Sequence, residues 1–202
     1  AETEFGSLIQ PNLVAANHDH YFNFKVDFDV DQPVNAASTI DIVPATVPEG
    51  LPRRSMWKAE TRAIDSELDG RLKLDPYEPR YSLVTNPSAK GPLGHAPGWM
   101  IDDADVVYFP FDFENDPPFV RNGWIQFSNW TTAYDPNQRY AGGKYAMQSD
   151  GSDTLAKWVE KDRSLLDTDV VTWVTAGFHH VPRIEDWPVM STEWKSIHIQ
   201  PF

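Results

Sequence analysis

Asn17-His18-Asp19-His20-Tyr21-Phe22-Asn23-Phe24-Lys25-Val26-Asp27-Phe28-Asp29-Val30-Asp31 alternates in residue type along its whole length. From His18 the even positions carry His20, Phe22, Phe24, Val26, Phe28 and Val30, and the odd positions carry Asp19, Tyr21, Asn23, Lys25, Asp27, Asp29 and Asp31. A period of two is that of a β-strand, whose successive side chains point to opposite faces. The stretch therefore predicts a strand with a core-facing apolar stripe and an acidic stripe behind it. His18 and His20 open the apolar stripe as two imidazoles side by side. Burial favours neutral imidazole, the form that ligates metal. A lone His-x-His is equally consistent with two buried histidines bonded to backbone, so a metal site needs a third ligand.

A distant run offers one. Asp169-Val170-Val171-Thr172-Trp173-Val174-Thr175-Ala176-Gly177-Phe178-His179-His180 is β-branched and aromatic and apolar on nearly both faces, which predicts a central, doubly covered strand. It ends in His179-His180, and Val181-Pro182-Arg183 breaks it. The first strand has its histidines at the start and its acids later; the second has Asp169 at the start and its histidines at the end. Laid antiparallel, histidines meet histidines and acids meet acids. Parity agrees, because His20 and Asp27 lie an odd number of residues apart, as do Asp169 and His180. The spacings are unequal, seven residues against eleven. A bulge, or a loop position for His180 after Gly177, is expected to absorb the difference.

One strand pair thus carries two candidate metal sites on opposite faces. Three imidazoles suit copper or zinc. Asp27, Asp29 and Asp169, helped by backbone carbonyls, suit calcium, which takes oxygen ligands. The competing account of the acids is a solvated sheet face.

Between the two strands the chain reads as further strands and long loops. Pro44–Arg54 is expected to be a loop, Ser55–Asp69 weakly strand-like, Arg80–Val84 a short strand, and Gly91–Trp99 a loop holding His95. Asp105–Phe109 precedes an acidic, Pro-rich loop. Gly123–Thr132 alternates like a strand, Asp153–Arg163 suggests a short helix, and Lys195–Ile199 a final strand. His95 and His198 read as structural.

Composition narrows the class. At 202 residues one domain with a real core is expected, and seventeen Pro with eleven Gly indicate a loop-rich β-fold. A net charge of −13 leaves no basic stripe for nucleic acid. No apolar run is long enough to span a bilayer. The absence of Cys excludes a thiolate copper site within the chain.

Six blocks resemble the copper amine oxidases, the topaquinone-dependent primary amine oxidases. They are Ala16–His20 with Asp27–Asp31, Val84–Pro87 with Gly94-His95, Asn129–Tyr134, Gln138–Tyr145, Asp169–Trp173, and His180-Val181-Pro182-Arg183-Ile184-Glu185-Asp186-Trp187-Pro188-Val189-Met190. They follow the family's order over essentially the whole chain. The resemblance implies an antiparallel β-sandwich, with the chain as part of a single catalytic domain. It implies copper on His18, His20 and His180, with His179 a neighbour. It implies a calcium-type site from Asp27, the Phe28 carbonyl, Asp29, Asp169 and the Val170 carbonyl. Some members hold a second calcium through a glutamate that Glu67 would match. The implied reaction converts a primary amine and dioxygen to aldehyde, ammonia and hydrogen peroxide, in a homodimer. The family's quinone arises from a tyrosine in an Asn-Tyr-Asp/Glu setting, and none of the seven tyrosines here follows an Asn. The catalytic-base aspartate is also absent, so the chain resembles an interior piece of a larger enzyme, truncated at both ends and inactive alone.

Two other classes stay open on the residues themselves. A three-histidine zinc hydrolase or lyase would use the same ligands to activate water. A non-catalytic, calcium-stabilised β-sandwich binding module would array its tryptophans on one exposed face.

Overall fold

The computed structural model describes residues 4–50, 52–102 and 110–202. The His-x-His stretch forms β3 (His18–Asp27) after a short hairpin of β1 (Gly6–Gln10) and β2 (Leu13–Ala16). The chain then supplies β4 (Ala36–Thr46), β5 (Ser55–Ala63), β6 (Arg80–Thr85) and β7 (Gly98–Asp102). After a five-residue helix α1 (Pro117–Arg121) come β8 (Asn129–Ala133), helix α2 (Leu155–Val159), β9 (Val170–His180) and β10 (His198–Pro201).

β3 and β9 pair antiparallel, as expected from where the histidines and acids fall. His18 lies opposite His180, His20 opposite Phe178 and Asp27 opposite Val171, with no break in register. No bulge is present, and His180 is inside the strand. His20 and Asp27, whose spacing is seven, are not the partners of His180 and Asp169. The cross-strand partner of His180 is His18, and two steps past Asp27 the same register sets Asp29 against Asp169. Both spans are then eleven residues. The ladder stops at Asp27, and the chain turns at Asp31 with φ 62° while the Asn35 side chain accepts the Val30 N–H at 2.9 Å.

β9 is the central strand of a three-stranded sheet ordered β3-β9-β8, and Val170–Gly177 are buried. The other main sheet is ordered β10-β7-β6-β4-β5. One apolar cluster joins the two: Ala37 and Val84 from the larger sheet meet Ala133 and Val170 from the smaller, with Leu72 and Leu165. A second cluster packs Leu155, Trp158 and Val159 of α2 on Trp130, Val171 and Trp173. Val170 and Val171 are consecutive and point oppositely, so β9 is covered on both faces. Trp130 and Trp173 face each other across β8 and β9 and are 2% and 1% exposed. Each buries on the order of 200 Å², worth about 5 kcal/mol at ~25 cal/mol/Å².

Several expectations are corrected. Pro44–Thr46 belongs to β4, not to a loop, and Pro44 faces Trp57 of β5. Its missing N–H is harmless because β6 pairs only with Ala36–Asp41, leaving that side of β4 open. Gly98 and Trp99 belong to β7, where a Cβ on Gly98 would lie 2.3 Å from the Val84 carbonyl oxygen. Only glycine lets β7 approach β6 there. Gly123–Gln126 is a 3-10 turn, closed by the Ile125 N–H donating to Asn122 O at 3.0 Å, and extended chain begins only at Asn129. The helix of Asp153–Arg163 shortens to α2, and the last strand shifts to β10. Asp105–Phe109 lies outside the described residues. Phe22 and Phe24 are 52% and 49% exposed rather than buried, because β3 is an edge strand.

Candidate metal centres

His18, His20 and His180 converge. One ring nitrogen from each lies within 4.8 Å of the others. Cross-strand pairing puts His18 and His180 on one face, and the i, i+2 spacing adds His20. What lies behind each ring decides which nitrogen is presented. His18 Nδ1 donates to the Ala16 carbonyl at 2.8 Å, leaving Nε2 as a lone pair. His180 Nε2 donates to Asp186 Oδ2 at 2.8 Å, leaving Nδ1. These two bare nitrogens face each other at 3.3 Å. His20 Nε2 is buried without a hydrogen-bond partner among the described residues. Burial, with His18 and His180 beside it, pushes the His20 imidazole below its ordinary value and so favours the neutral form. Opposed lone pairs and an orphaned nitrogen at one point repel or go unsatisfied unless a cation lies among them. The donor set fits copper or zinc.

The Asp186 carboxylate is ionised across the neutral range. The Arg183 backbone N–H, against some desolvation and with the His180 ring, holds it down to about 2. Sequence reading missed this residue. An acid six positions after a ligand, beyond a Pro-broken turn, was the available signal. His179 sits directly opposite Asp19 on the other face and hydrogen-bonds to it. It is a neighbour of the cluster and not part of it. Gly177 lies opposite Tyr21, and a Cβ there would sit 2.5 Å from the His20 carbonyl oxygen. That close approach keeps the ladder regular next to the imidazoles.

Asp27, Asp29 and Asp169 also converge, each offering an oxygen within 4.8 Å of the others. They occupy the opposite face and opposite end of the ladder, roughly 30 Å from the histidines at ~3.4 Å per residue. Burial first, then the neighbouring acids, push Asp27 and Asp169 up, and Lys25 opposes this only in part. Asp169 Oδ1 is buried with no hydrogen-bond partner among the described residues. Lys25 is engaged elsewhere, donating to Gln138 O at 3.0 Å with Nζ over the Tyr134 ring. A buried orphan oxygen among mutually repelling carboxylates fits a hard cation. Phe28 stacks on Trp99 and Val170 pairs with Ala133, which fixes the backbone beside both ends of the cluster.

Glu67 is not available to a cation. Its side chain is 0% exposed and ion-pairs with Arg163 at 2.6 Å. It also accepts the Ala133 and Arg163 backbone N–H groups at 3.2 and 3.1 Å. A guanidinium already neutralises this carboxylate. The exposed tryptophans of the larger sheet do not share one face. Trp57 is opposite Pro44, while Trp99 is opposite Val84, itself opposite Ala37. Pro44 and Ala37 are an odd number of residues apart on β4, so Trp57 and Trp99, two of the four exposed indoles with Trp187 and Trp194, lie on opposite faces of the larger sheet.

Beside His20 opens a half-open apolar cavity of about 540 Å³, lined by Phe22, Phe24, Phe178, Met190, Lys195 and Ile197 among others. Among the described residues no helix is long and apolar enough to cross a membrane.

Two antiparallel sheets, the smaller carrying a three-imidazole cluster at one end of its β3–β9 ladder, define a β-class fold with a candidate metal site. Residues 1–202 match the family model for the copper amine oxidase, enzyme domain, and the chain belongs to the copper amine oxidase family, a family of oxidoreductases. It is 36% identical over 202 residues to amine oxidase (copper-containing) gamma 1 of Arabidopsis thaliana, covering 99% of this chain and 28% of that one. It is 32% identical over 197 residues to primary amine oxidase of Pisum sativum, covering 97% and 29%. A copper-containing benzylamine oxidase from Hansenula polymorpha superposes with a TM-score of 0.85 at 25% identity, covering 98% of this chain and 31% of the other. The chain thus spans less than a third of the length of these relatives.

Proposed function

We propose that this chain carries the metal centres of a primary amine oxidase, as part of its single catalytic domain. The observation that carries the reading is the convergence of His18, His20 and His180 in a chain that matches the family along its whole length. His18 and His20 would hold copper through rings set by β3, and His180 through Nδ1. Bound copper would supply the redox chemistry that makes topaquinone from a tyrosine and returns electrons to dioxygen during deamination of a primary amine to aldehyde, ammonia and hydrogen peroxide. The chain's own part is to keep three imidazoles fixed, with Phe178 stacked on His20 at 4.7 Å. The quinone tyrosine and the base are proposed to lie elsewhere in a longer protein, which acts as a homodimer, so this chain alone should not oxidise amines. Metal analysis tests the reading. One copper per chain, with nitrogen hyperfine structure in the electron paramagnetic resonance spectrum, is expected. Stoichiometric zinc that copper cannot displace would favour the hydrolase or lyase reading instead.

Asp27, Asp29 and Asp169, with the Phe28 and Val170 carbonyls, are proposed to hold calcium. The expected pH dependence follows from the direction of the shifts. Asp27 and Asp169 are raised, so the native chain keeps protons that the unfolded chain releases. The cluster therefore costs the metal-free chain stability as pH rises through and above the ordinary carboxylate range. A cation relieves that cost. Calcium should stabilise the chain at neutral pH by about 2.7 kcal/mol at a hundredfold excess over Kd, seen as a raised thermal midpoint. The gain should fade near pH 4. Melting curves with calcium or chelator from pH 4 to 8 check this, and an equal shift at every pH, or none, counts against a carboxylate site.

A further inference from the structure

We propose that Asp186 is a positioning residue for the histidine cluster: its carboxylate fixes His180 as the Nε2–H tautomer and so turns the Nδ1 lone pair toward His18 and His20. The inference rests on the copper reading above and goes further, because it assigns a role to a residue that is not a ligand.

A neutral imidazole has one donor and one acceptor nitrogen, and the surroundings choose which is which. Asp186 can only accept. Its Oδ2 takes two donors at once, the His180 ring at 2.8 Å and the Arg183 backbone N–H at 2.8 Å. Its Oδ1 takes the Ser191 N–H at 3.4 Å, with the Arg183 guanidinium 3.6 Å away. Two of these donors belong to the backbone and cannot turn away, and the Asp186 side chain is only 6% exposed. The carboxylate is thus held before it meets the ring. The local chain makes this possible. β9 ends at His180, Pro182 stops further pairing, and the 3-10 turn Ile184–Asp186 carries residue 186 back beside residue 180.

The contrast with His18 sharpens the assignment. His18 has a carbonyl behind Nδ1 and presents Nε2. His180 has a carboxylate behind Nε2 and presents Nδ1. Two rings from one cross-strand pair therefore meet one point through different nitrogens, each chosen by the acceptor behind it. A carboxylate behind a ligating imidazole also raises the ring's basicity, and losing such a partner typically weakens metal binding about 10–100-fold. Asp186 has a second effect, since its bond to the Ser191 N–H anchors the segment that brings Met190 and Glu193 to the cavity beside His20.

The test uses the full chain with long-range ¹H–¹⁵N imidazole spectra of the metal-free protein and copper titrations. The wild-type chain should show His180 as the Nε2–H tautomer. Asp186→Ala should mix the tautomers and raise the copper Kd about 10–100-fold. Asp186→Asn keeps an oxygen acceptor and should restore the tautomer and most of the affinity. A merely structural role would lower the melting point and leave the tautomer of the folded fraction alone. If Asp186→Ala does not fold, Asp186→Asn decides. Its His180 N–H resonance should move upfield from the carboxylate-bonded position, and an unmoved resonance overturns the proposal. So does an Asp186→Ala protein with a single Nε2–H tautomer and a Kd within about twofold of wild type. A wild-type chain that takes up no copper fails the reading beneath the proposal, and this is seen before any variant is made.

Discussion

His20→Ala is expected to remove stoichiometric copper from the chain. The loss should exceed the roughly 100-fold upper range for an orienting partner, because a ligand is deleted and not merely loosened. His20 is the ring whose Nε2 has no other employment: it is buried, and among the described residues nothing accepts from it or donates to it. Such an atom costs the metal-free fold about 1–3 kcal/mol. Removing it should leave stability near wild type or slightly higher, despite the lost stacking on Phe178. The combination is diagnostic. A core histidine would lower the melting point and leave copper binding alone; a ligand does the reverse. Isothermal titration with copper, beside a thermal melt, separates them. Retained wild-type affinity in a folded His20→Ala protein would remove His20 from the centre, and with it the three-imidazole assignment.

The part of the site that was legible in sequence is the part governed by strand parity. Alternation put His18 and His20 on one face and Asp27 and Asp29 on the other, and the reversed order of acid and imidazole in Asp169–His180 foretold the antiparallel pairing. Parity is a local, period-two property, so it survives without tertiary knowledge. Register is less legible, because His20 and Asp27 pair with Phe178 and Val171 and not with His180 and Asp169. Features that depend on distant neighbours were hidden. Gly98 is a strand residue because the Val84 carbonyl comes so close, and Pro44 is tolerated because β6 has ended. Phe22 and Phe24 have core-type spacing, yet their burial depends on what covers an edge strand. Asp186 serves His180 only after a turn folds it back. Glu67 shows the same limit for charge. Its partner Arg163 is 96 residues away, and no spacing rule links them.

That pair also carries the largest expected effect on stability. Glu67→Ala should cost about 3 kcal/mol, within or just below the 3–5 kcal/mol typical of breaking a buried ion pair from one side. Glu67 is 0% exposed, whereas the Arg163 side chain is 29% exposed and regains some water, so the lower end applies. The loss is not confined to Coulomb attraction. The Ala133 and Arg163 backbone N–H groups, at 3.2 and 3.1 Å, would be left without their acceptor next to the inter-sheet cluster. Glu67→Gln keeps one acceptor oxygen but turns an amide toward donors, so its cost should be smaller yet clear. For a domain of this size about 3 kcal/mol is a fall of ~10 °C in melting temperature. Calcium stoichiometry, by contrast, should not change in either variant, because Arg163 occupies the place a cation would take. Loss of one bound calcium on Glu67→Ala would show that the guanidinium is displaced by metal in solution. A melting point within ~3 °C of wild type would show that the pair contributes little to holding the two sheets together.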